Sequence, residues 1–309
     1  AQKIAHLIDQ HAVAPDRICA ITFTNKAARE MKERVTPLLP KGSKAKPWIS
    51  TFHTLGLRIL KEDFATLGYR ARFTLFDARD AEGVIAEIAR RELGSTNFDA
   101  RALQSRISNW KNALTEPAAA LAEATDPQAK AAAKCYALYA QALRAYNAFD
   151  FDDLIGLPVL LFRADRDALT RWQAQLRWLL VDEYQDTNLA QYELVKLLAK
   201  DSGRLTVVGD DDQSIYAWRG ARPENLAALT HDFPQLKVIK LEQNYRSSVN
   251  ILTAANRLIA HNPKLHEKKL WSEHGIGDPV QVVPCEHDEA EAESVVMRLQ
   301  AHRFERRTK

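Results

Sequence analysis

The 309-residue sequence predicts an α/β fold: a parallel sheet with helices on both faces, interrupted by an all-helical insertion. Three observations point to it. Short apolar runs recur at 18–24 (ICAITFT), 48–51 (WIST), 178–183 (WLLVDE), 205–210 (LTVVGD) and 237–242 (KVIKLE), each continuous rather than alternating, as strands buried on both faces are. Every run closes on Thr, Asp or Glu, and helical periodicity fills the spaces between them. Between His53 and about Arg163 strand-like runs disappear and alanine becomes abundant.

Taken in order, Ile4, Leu7 and Ile8 fall at helical spacing and Pro15 ends that pattern. The run at 18–24 passes directly into NKAAREMKERV, a strong helix former. In the insertion, 81–93 and 131–149 show helical periodicity, with Pro117 and Pro127 as punctuation. After Tyr245, SSVNILTAANRLIAHN reads as an amphipathic helix, PVQVVPCE (279–286) as a strand, and a last helix runs to Lys309. The expected division is a first sheet domain at 1–52 and 164–244, the insertion at 53–163, and the beginning of a second sheet domain at 245–309.

Composition narrows the function classes. With 46% hydrophobic and 27% charged residues the chain can bury a substantial core. Its three cysteines, Cys19, Cys135 and Cys285, lack paired spacing, which argues against a disulfide framework or a zinc site and for a reducing, cytoplasmic setting. No run of about 18 apolar residues exists and the start lacks the order of a secretory signal, so no membrane association is expected. Net charge is only +3, but Lys26 to Arg72 holds eleven Lys/Arg against four Asp/Glu. Such a segment suits a polyanion, and equally a solvated helix face.

The chemistry gathers at strand ends. In LLVDEYQD, Asp182 can hold Mg²⁺ beside nucleotide phosphates and Glu183 can deprotonate an attacking water; a plain acidic pair capping the next helix reads the same way. In GDDDQ, Asp210 to Asp212 need exposure, a cation or donors, and the Gln213 amide can sense a terminal phosphate. Tyr216 and Trp218, two apart, share one face if extended, where bases could stack; they could as well be core aromatics. In LEQNYRSS, Arg246 can serve as a finger on a transferring phosphoryl group and Tyr245 can lie on a base ring. Phe23, Thr24, Asn25 and Lys26 form a strand-to-helix turn fit either for a nucleic-acid backbone or for helix capping. His53 suits a structural role, and DFDDL (150–154) an acid-rich helix start.

Together, TFTNKAAREM, STFHTLGLRIL, DFDDL, LLVDEYQDTN, VVGDDDQSIYAWRGARP and LEQNYRSS, in this order, resemble the superfamily 1 DNA helicases of the Rep, UvrD and PcrA group over essentially the whole chain. The resemblance implies two RecA-like motor domains, each with an insertion, that move 3′ to 5′ on single-stranded DNA, act at single-strand/duplex junctions, and work with ATP, Mg²⁺ and replication or repair proteins. By the same resemblance Asp182 coordinates Mg²⁺, Glu183 is the catalytic base, Gln213 couples nucleotide state to DNA, Arg246 meets the γ-phosphate and Tyr245 the adenine. Phe23, Thr24, Asn25, Lys26, His53, Tyr216 and Trp218 would line the single-strand path. Two other readings share these motifs: a non-hydrolysing single-strand binding module, and the motor of a recombination helicase–nuclease.

One departure bears on activity. The family's phosphate loop, G-x-x-x-x-G-K-[ST], whose amides and lysine hold the β- and γ-phosphates, does not occur in this sequence. The expectation is therefore a fragment of such a helicase. Because phosphoryl transfer is mostly positioning, residues 1–309 alone should show negligible phosphate release with or without oligo-dT. They should still bind single strands weakly and with strong salt dependence, measurable by anisotropy at two salt concentrations. Robust DNA-stimulated turnover would contradict both the fragment reading and the need for the loop.

Overall fold

The computed structural model describes residues 1–40, 42, 44–92 and 99–306. It divides into two compact units, 1–237 and 238–309, the second opening ahead of the expected start at 245.

In the first unit the elements are α1 (Gln2–His11), β1 (Ile18–Thr22), α2 (Asn25–Val35), β2 (Trp48–Thr51), α3 (Phe52–Asp63), β3 (Thr74–Leu75), α4 (Ala78–Glu92), α5 (Ala100–Asn112), α6 (Pro117–Glu123), α7 (Pro127–Tyr146), β4 (Ala148–Phe149), α8 (Asp153–Ala164), α9 (Arg166–Gln175), β5 (Trp178–Val181), α10 (Leu189–Ala199), β6 (Leu205–Val207) and α11 (Glu224–Asp232). The main sheet has the order β2-β1-β5-β6, and every pairing in it is parallel. Pleating splits β1 between two cores. Ile18 and Ala20 pack with Ile4, Leu7 and Val35 from α1 and α2, whereas Cys19 and Ile21 join Phe52, Leu55, Val159 and Trp172 from α3, α8 and α9. Helices thus cover both faces, as the continuous apolar runs require.

The threonines that close the first two strands have a local use. Thr24, just beyond β1, accepts a hydrogen bond from the Ala27 amide (3.1 Å), and Thr51 accepts from Thr54 (3.3 Å), so each strand turns into its helix through an N-cap. The strands are shorter than the apolar runs suggest: β5 ends at Val181 and β6 at Val207, and residues 182–183 and 208–210 lie beyond them.

The insertion differs from an all-helical unit in two respects. β3 and β4 form a short parallel pair, Thr74 with Ala148 and Leu75 with Phe149, because the Asn147 carbonyl and Phe149 carbonyl accept from Thr74 and Phe76 across the stretch. The flanking helices α3 and α8 place their apolar faces on the main sheet, while α4 to α7 enclose a separate core around Ile85, Ile107, Tyr139 and Leu143. The predicted helix at 81–93 is present as α4, its last residue lying outside the described residues.

Insertion and sheet domain meet at a buried ionic joint. Lys111 Nζ, at the end of α5, lies 2.6 Å from Asp150 and 2.8 Å from Asp153, and Tyr139 donates to Asp150 (3.0 Å). The acids of DFDDL are therefore partners of a buried lysine rather than a solvated helix start. Burial works against the Lys111 ammonium, yet Asp153 and Asp150 outweigh it and raise its pKa. Asp152, which accepts from Asn112 Nδ2 (3.0 Å), is pushed up to about 6 by burial and secondly by the Asp150 charge.

The second unit holds α12 (Val249–Ile259) and α13 (Asp288–Arg306). The strands expected at 237–242 and 279–286 are not formed: among the described residues their backbones meet no neighbouring ladder, and the nearest pairing is the single bridge between Gln243 and Trp271. Side chains substitute for strands here. Asn256 both donates to the Leu270 carbonyl (2.8 Å) and accepts from its amide (3.2 Å). The last helix is described to residue 306, so its expected extension to Lys309 lies outside the described residues.

The joint predicts a pH signature. Asp152 has its carboxyl raised from 3.8 to about 6, so its protonated form favours the fold below about pH 4, and that advantage is lost as pH rises through 6. Asp152→Asn keeps an acceptor for Asn112 and removes the charge. It should raise Tm at pH 7.5, by at most about 3 kcal/mol in stability, with a smaller gain at pH 5. Equal gains at both pH values, followed by thermal melts, would show that the ionised carboxylate is not the cause.

Candidate functional site

Because the four strands of the main sheet run parallel, all their carboxyl ends reach one edge, where open α/β sheets bind ligands. β1 delivers Phe23 to Lys26 there, β2 delivers His53, β5 delivers Asp182 and Glu183, and β6 delivers Asp210 to Gln213.

The end of β5 is pinned on both sides. The Asp182 amide donates to Ile21 (2.9 Å) and the Tyr184 amide to Val208 (2.9 Å). Between them Glu183 adopts a left-handed backbone, φ 51°, which turns the chain into the 3₁₀ turn Tyr184–Asp186. Gln185 is buried beneath this turn and connects two strand ends: its Nε2 donates to Glu183 Oε2 (2.8 Å) and its Oε1 accepts from the Asp210 amide (3.0 Å). Gly209 permits that approach, since a Cβ there would stand 3.0 Å from Gln185 Oε1. Gln213 Nε2 in turn donates to Asp210 Oδ2 (2.5 Å). One hydrogen-bonded run thus extends from Glu183 through Gln185 and Asp210 to Gln213.

The acids around this run are oxygen donors suited to a hard divalent cation. Burial, and then the Glu183 charge, raises the pKa of Asp182 and likewise of Asp186, whose Oδ1 is buried without a hydrogen-bond partner. The carboxylates of Asp210, Asp211 and Asp212 lie within 4.8 Å of one another.

Aromatics flank the acids. The stretch holding Tyr216 and Trp218 is not extended, because Ala217–Arg219 forms a 3₁₀ turn, yet their ring centroids remain 6.3 Å apart. Trp218 is 72% exposed, which excludes a core role. Phe23 packs edge-on against Phe52 (5.7 Å), His53 against Phe151 (5.9 Å), and burial lowers the His53 pKa. Thr24, Asn25 and Lys26 are exposed.

Tyr245 and Arg246 belong to the second unit. Asn244 Oδ1 accepts from the amides of Arg246 (2.9 Å) and Ser247 (2.8 Å), an Asx turn that leaves both side chains exposed. Tyr245 Oη donates to Gln243 (2.7 Å).

Residues 1–234 match the UvrD/REP helicase N-terminal domain, and 239–309 the UvrD-like helicase C-terminal domain. The chain belongs to the UvrD/Rep helicase family. It is 53% identical to the ATP-dependent DNA helicase Rep of Escherichia coli K12 over 99% of its own length and 46% of that protein. It is 44% identical to the ATP-dependent DNA helicase PcrA of Staphylococcus epidermidis, over 97% of this chain and 41% of the relative. The chain therefore spans less than half the length of these curated relatives. The parallel sheet with helices on both faces is the RecA-like α/β fold of UvrD helicase domains. No helix among the described residues is long and apolar enough to cross a membrane.

At these strand ends, sequence reasoning missed the part played by Gln185. Its signal was present, a neutral amide among three acids directly after a strand, but which acids it joins depends on the distant β6. Gln185→Leu would strip Glu183 of a donor and leave the Asp210 amide without its acceptor. A loss of about 1–3 kcal/mol in stability to chemical denaturation is expected. An unaltered midpoint would show that water replaces the amide at no cost.

Proposed function

We propose that this chain forms part of an ATP-dependent DNA helicase that moves 3′ to 5′ on single-stranded DNA and opens duplex at junctions. The observation that carries the reading is the run Glu183–Gln185–Asp210–Gln213, which joins two acidic strand ends beside the exposed Tyr216 and Trp218. The names of the relatives, ATP-dependent DNA helicases Rep and PcrA, support it.

In this reading Asp182 holds Mg²⁺, which when bound offsets phosphate charge. Glu183 accepts the proton of the attacking water at a carboxylate oxygen whose partner oxygen is fixed by Gln185. Gln213 responds to the nucleotide and passes its state through Asp210 to the segment bearing Tyr216 and Trp218. Tyr245 stacks on adenine and Arg246 meets the γ-phosphate. Phe23, Thr24, Asn25, Lys26, His53, Tyr216 and Trp218 hold the strand by stacking and backbone contacts. A cytoplasmic setting accords with three free cysteines, two of them buried.

In a protein that carries a phosphate-binding loop ahead of this segment, Glu183→Gln and Arg246→Ala should each lower DNA-stimulated turnover by roughly 10³-fold or more with DNA affinity retained. Trp218→Ala should do the converse, weakening single-strand binding by about 1–3 kcal/mol at unchanged Tm. Near-normal turnover in the Glu183 variant would overturn the assignment of the base, and unchanged DNA affinity in the Trp218 variant that of the strand path.

A further inference from the structure

The acidic turn after β5 is held from β6, where the Tyr184 amide donates to Val208 (2.9 Å). It is held from α11 as well. Asn225 Nδ2 donates to the Thr187 carbonyl (2.9 Å) and to Thr187 Oγ1 (3.1 Å), and Thr187 Oγ1 donates to the Tyr184 carbonyl (2.7 Å). A third attachment comes from the helical insertion. Asn188 Nδ2 donates to Asn112 Oδ1 at 2.6 Å, across 76 residues of chain.

Each polar group of that pair is committed. Asn188 Oδ1 caps α10 by accepting from the Gln191 amide (2.9 Å), and its own amide donates to Gln191 Oε1 (3.0 Å). Capping α10 therefore does not need Nδ2, which is left to reach the insertion. On the other side, Asn112 Nδ2 donates to Asp152 (3.0 Å) and Ser108 (3.2 Å), so its Oδ1 is turned toward Asn188. Asn112 follows Lys111, whose ammonium is clamped between Asp150 and Asp153. The end of α5 is thus anchored in the ionic joint at one residue and grips the acidic turn at the next.

We propose that Asn112 is a positioning residue for the reaction: through Asn188 it fixes the turn Tyr184–Thr187, and with it the carboxylate of Glu183, to the helical insertion. The link makes the turn's geometry depend on how the insertion sits. Its catalytic consequence rests on the reading of Glu183 as the base, whereas the mechanical link does not.

Two variants cut the bridge by different means. Asn112→Ala removes the acceptor. Asn188→Ser keeps a side chain that caps helices about as well as asparagine but is too short to reach Asn112. Amide hydrogen exchange on residues 1–309 should show protection at Tyr184 to Thr187 falling at least tenfold in both variants, with protection in β1, β5 and the middle of α10 unchanged. Ser105→Ala, an exposed change elsewhere on α5, should leave the turn as it is. Full protection of the turn in both cut variants would overturn the proposal, as would a uniform loss across the whole domain, which marks a merely structural contact. In a longer protein that hydrolyses ATP, Asn188→Ser should lower kcat about tenfold with KM for ATP unchanged. An unaltered kcat alongside loosened turn amides would overturn the catalytic role while leaving the link, and unaltered turnover in Glu183→Gln would instead count against the reading of the base.

Discussion

Parallel pairing is the constraint on which the rest of the first unit depends. Strands hydrogen-bonded in one direction must all end at one edge, so residues separated by more than a hundred positions, such as Thr24 and Asp182 or His53 and Asp210, are delivered to a common rim. Each strand in such a sheet must also be apolar on both faces, which is why its polar residues are confined to its ends. Burial and function here are two results of one topology: the helices that bury Cys19 and Ile21 on one face and Ile18 and Ala20 on the other leave only the rim open for chemistry.

The insertion is bound to this scaffold by a different kind of force. Its own core is apolar, built on Ile85, Ile107 and Leu143, but its joint with the sheet domain centres on Lys111, Asp150 and Asp153. A buried ion pair adds little net stability because desolvation consumes most of the attraction, yet breaking one partner is costly. Such a joint specifies orientation more than it strengthens attachment: an apolar contact tolerates sliding, whereas an ammonium between two carboxylates accepts few positions. Placing it one residue from Asn112 converts that orientation into the position of Asn188, and so of the turn that carries the acids.

Much of the sheet domain was legible in the sequence because its signals are local. Continuous apolar runs, closing threonines and the Pro15 stop each act over a few residues, and β1, β2, β5 and β6 fall where those signals placed them. The acidic and aromatic motifs were legible as clusters for the same reason. What escaped was long-range. The partner of DFDDL is Lys111, some forty residues upstream, and nothing in either segment names the other. Gln185 showed its chemistry but not its two strand ends. The runs at 237–242 and 279–286 carry strand composition, but composition supplies no ladder, and among the described residues neither run has one. The expected insertion takes in α3 and α8, whose apolar faces cover the main sheet: a helix's own periodicity shows which face is apolar but not whether a sheet or another helix lies against it.

The backbone of Glu183 shows how these long-range contacts act on the site. A left-handed conformation at a residue with a side chain costs on the order of 1–3 kcal/mol and persists only where the surroundings over-determine it. The surroundings here are the Val208 carbonyl holding Tyr184, the Gln185 amide holding the Glu183 carboxylate, and Thr187 holding the Tyr184 carbonyl. Each belongs to, or is braced by, a different element: β6, the turn itself through Asp210, and α11 through Asn225. The strained angle persists only while these partners act together. A small displacement of β6 or of α5 would therefore be met at Glu183 as a change in backbone angle rather than absorbed along the way.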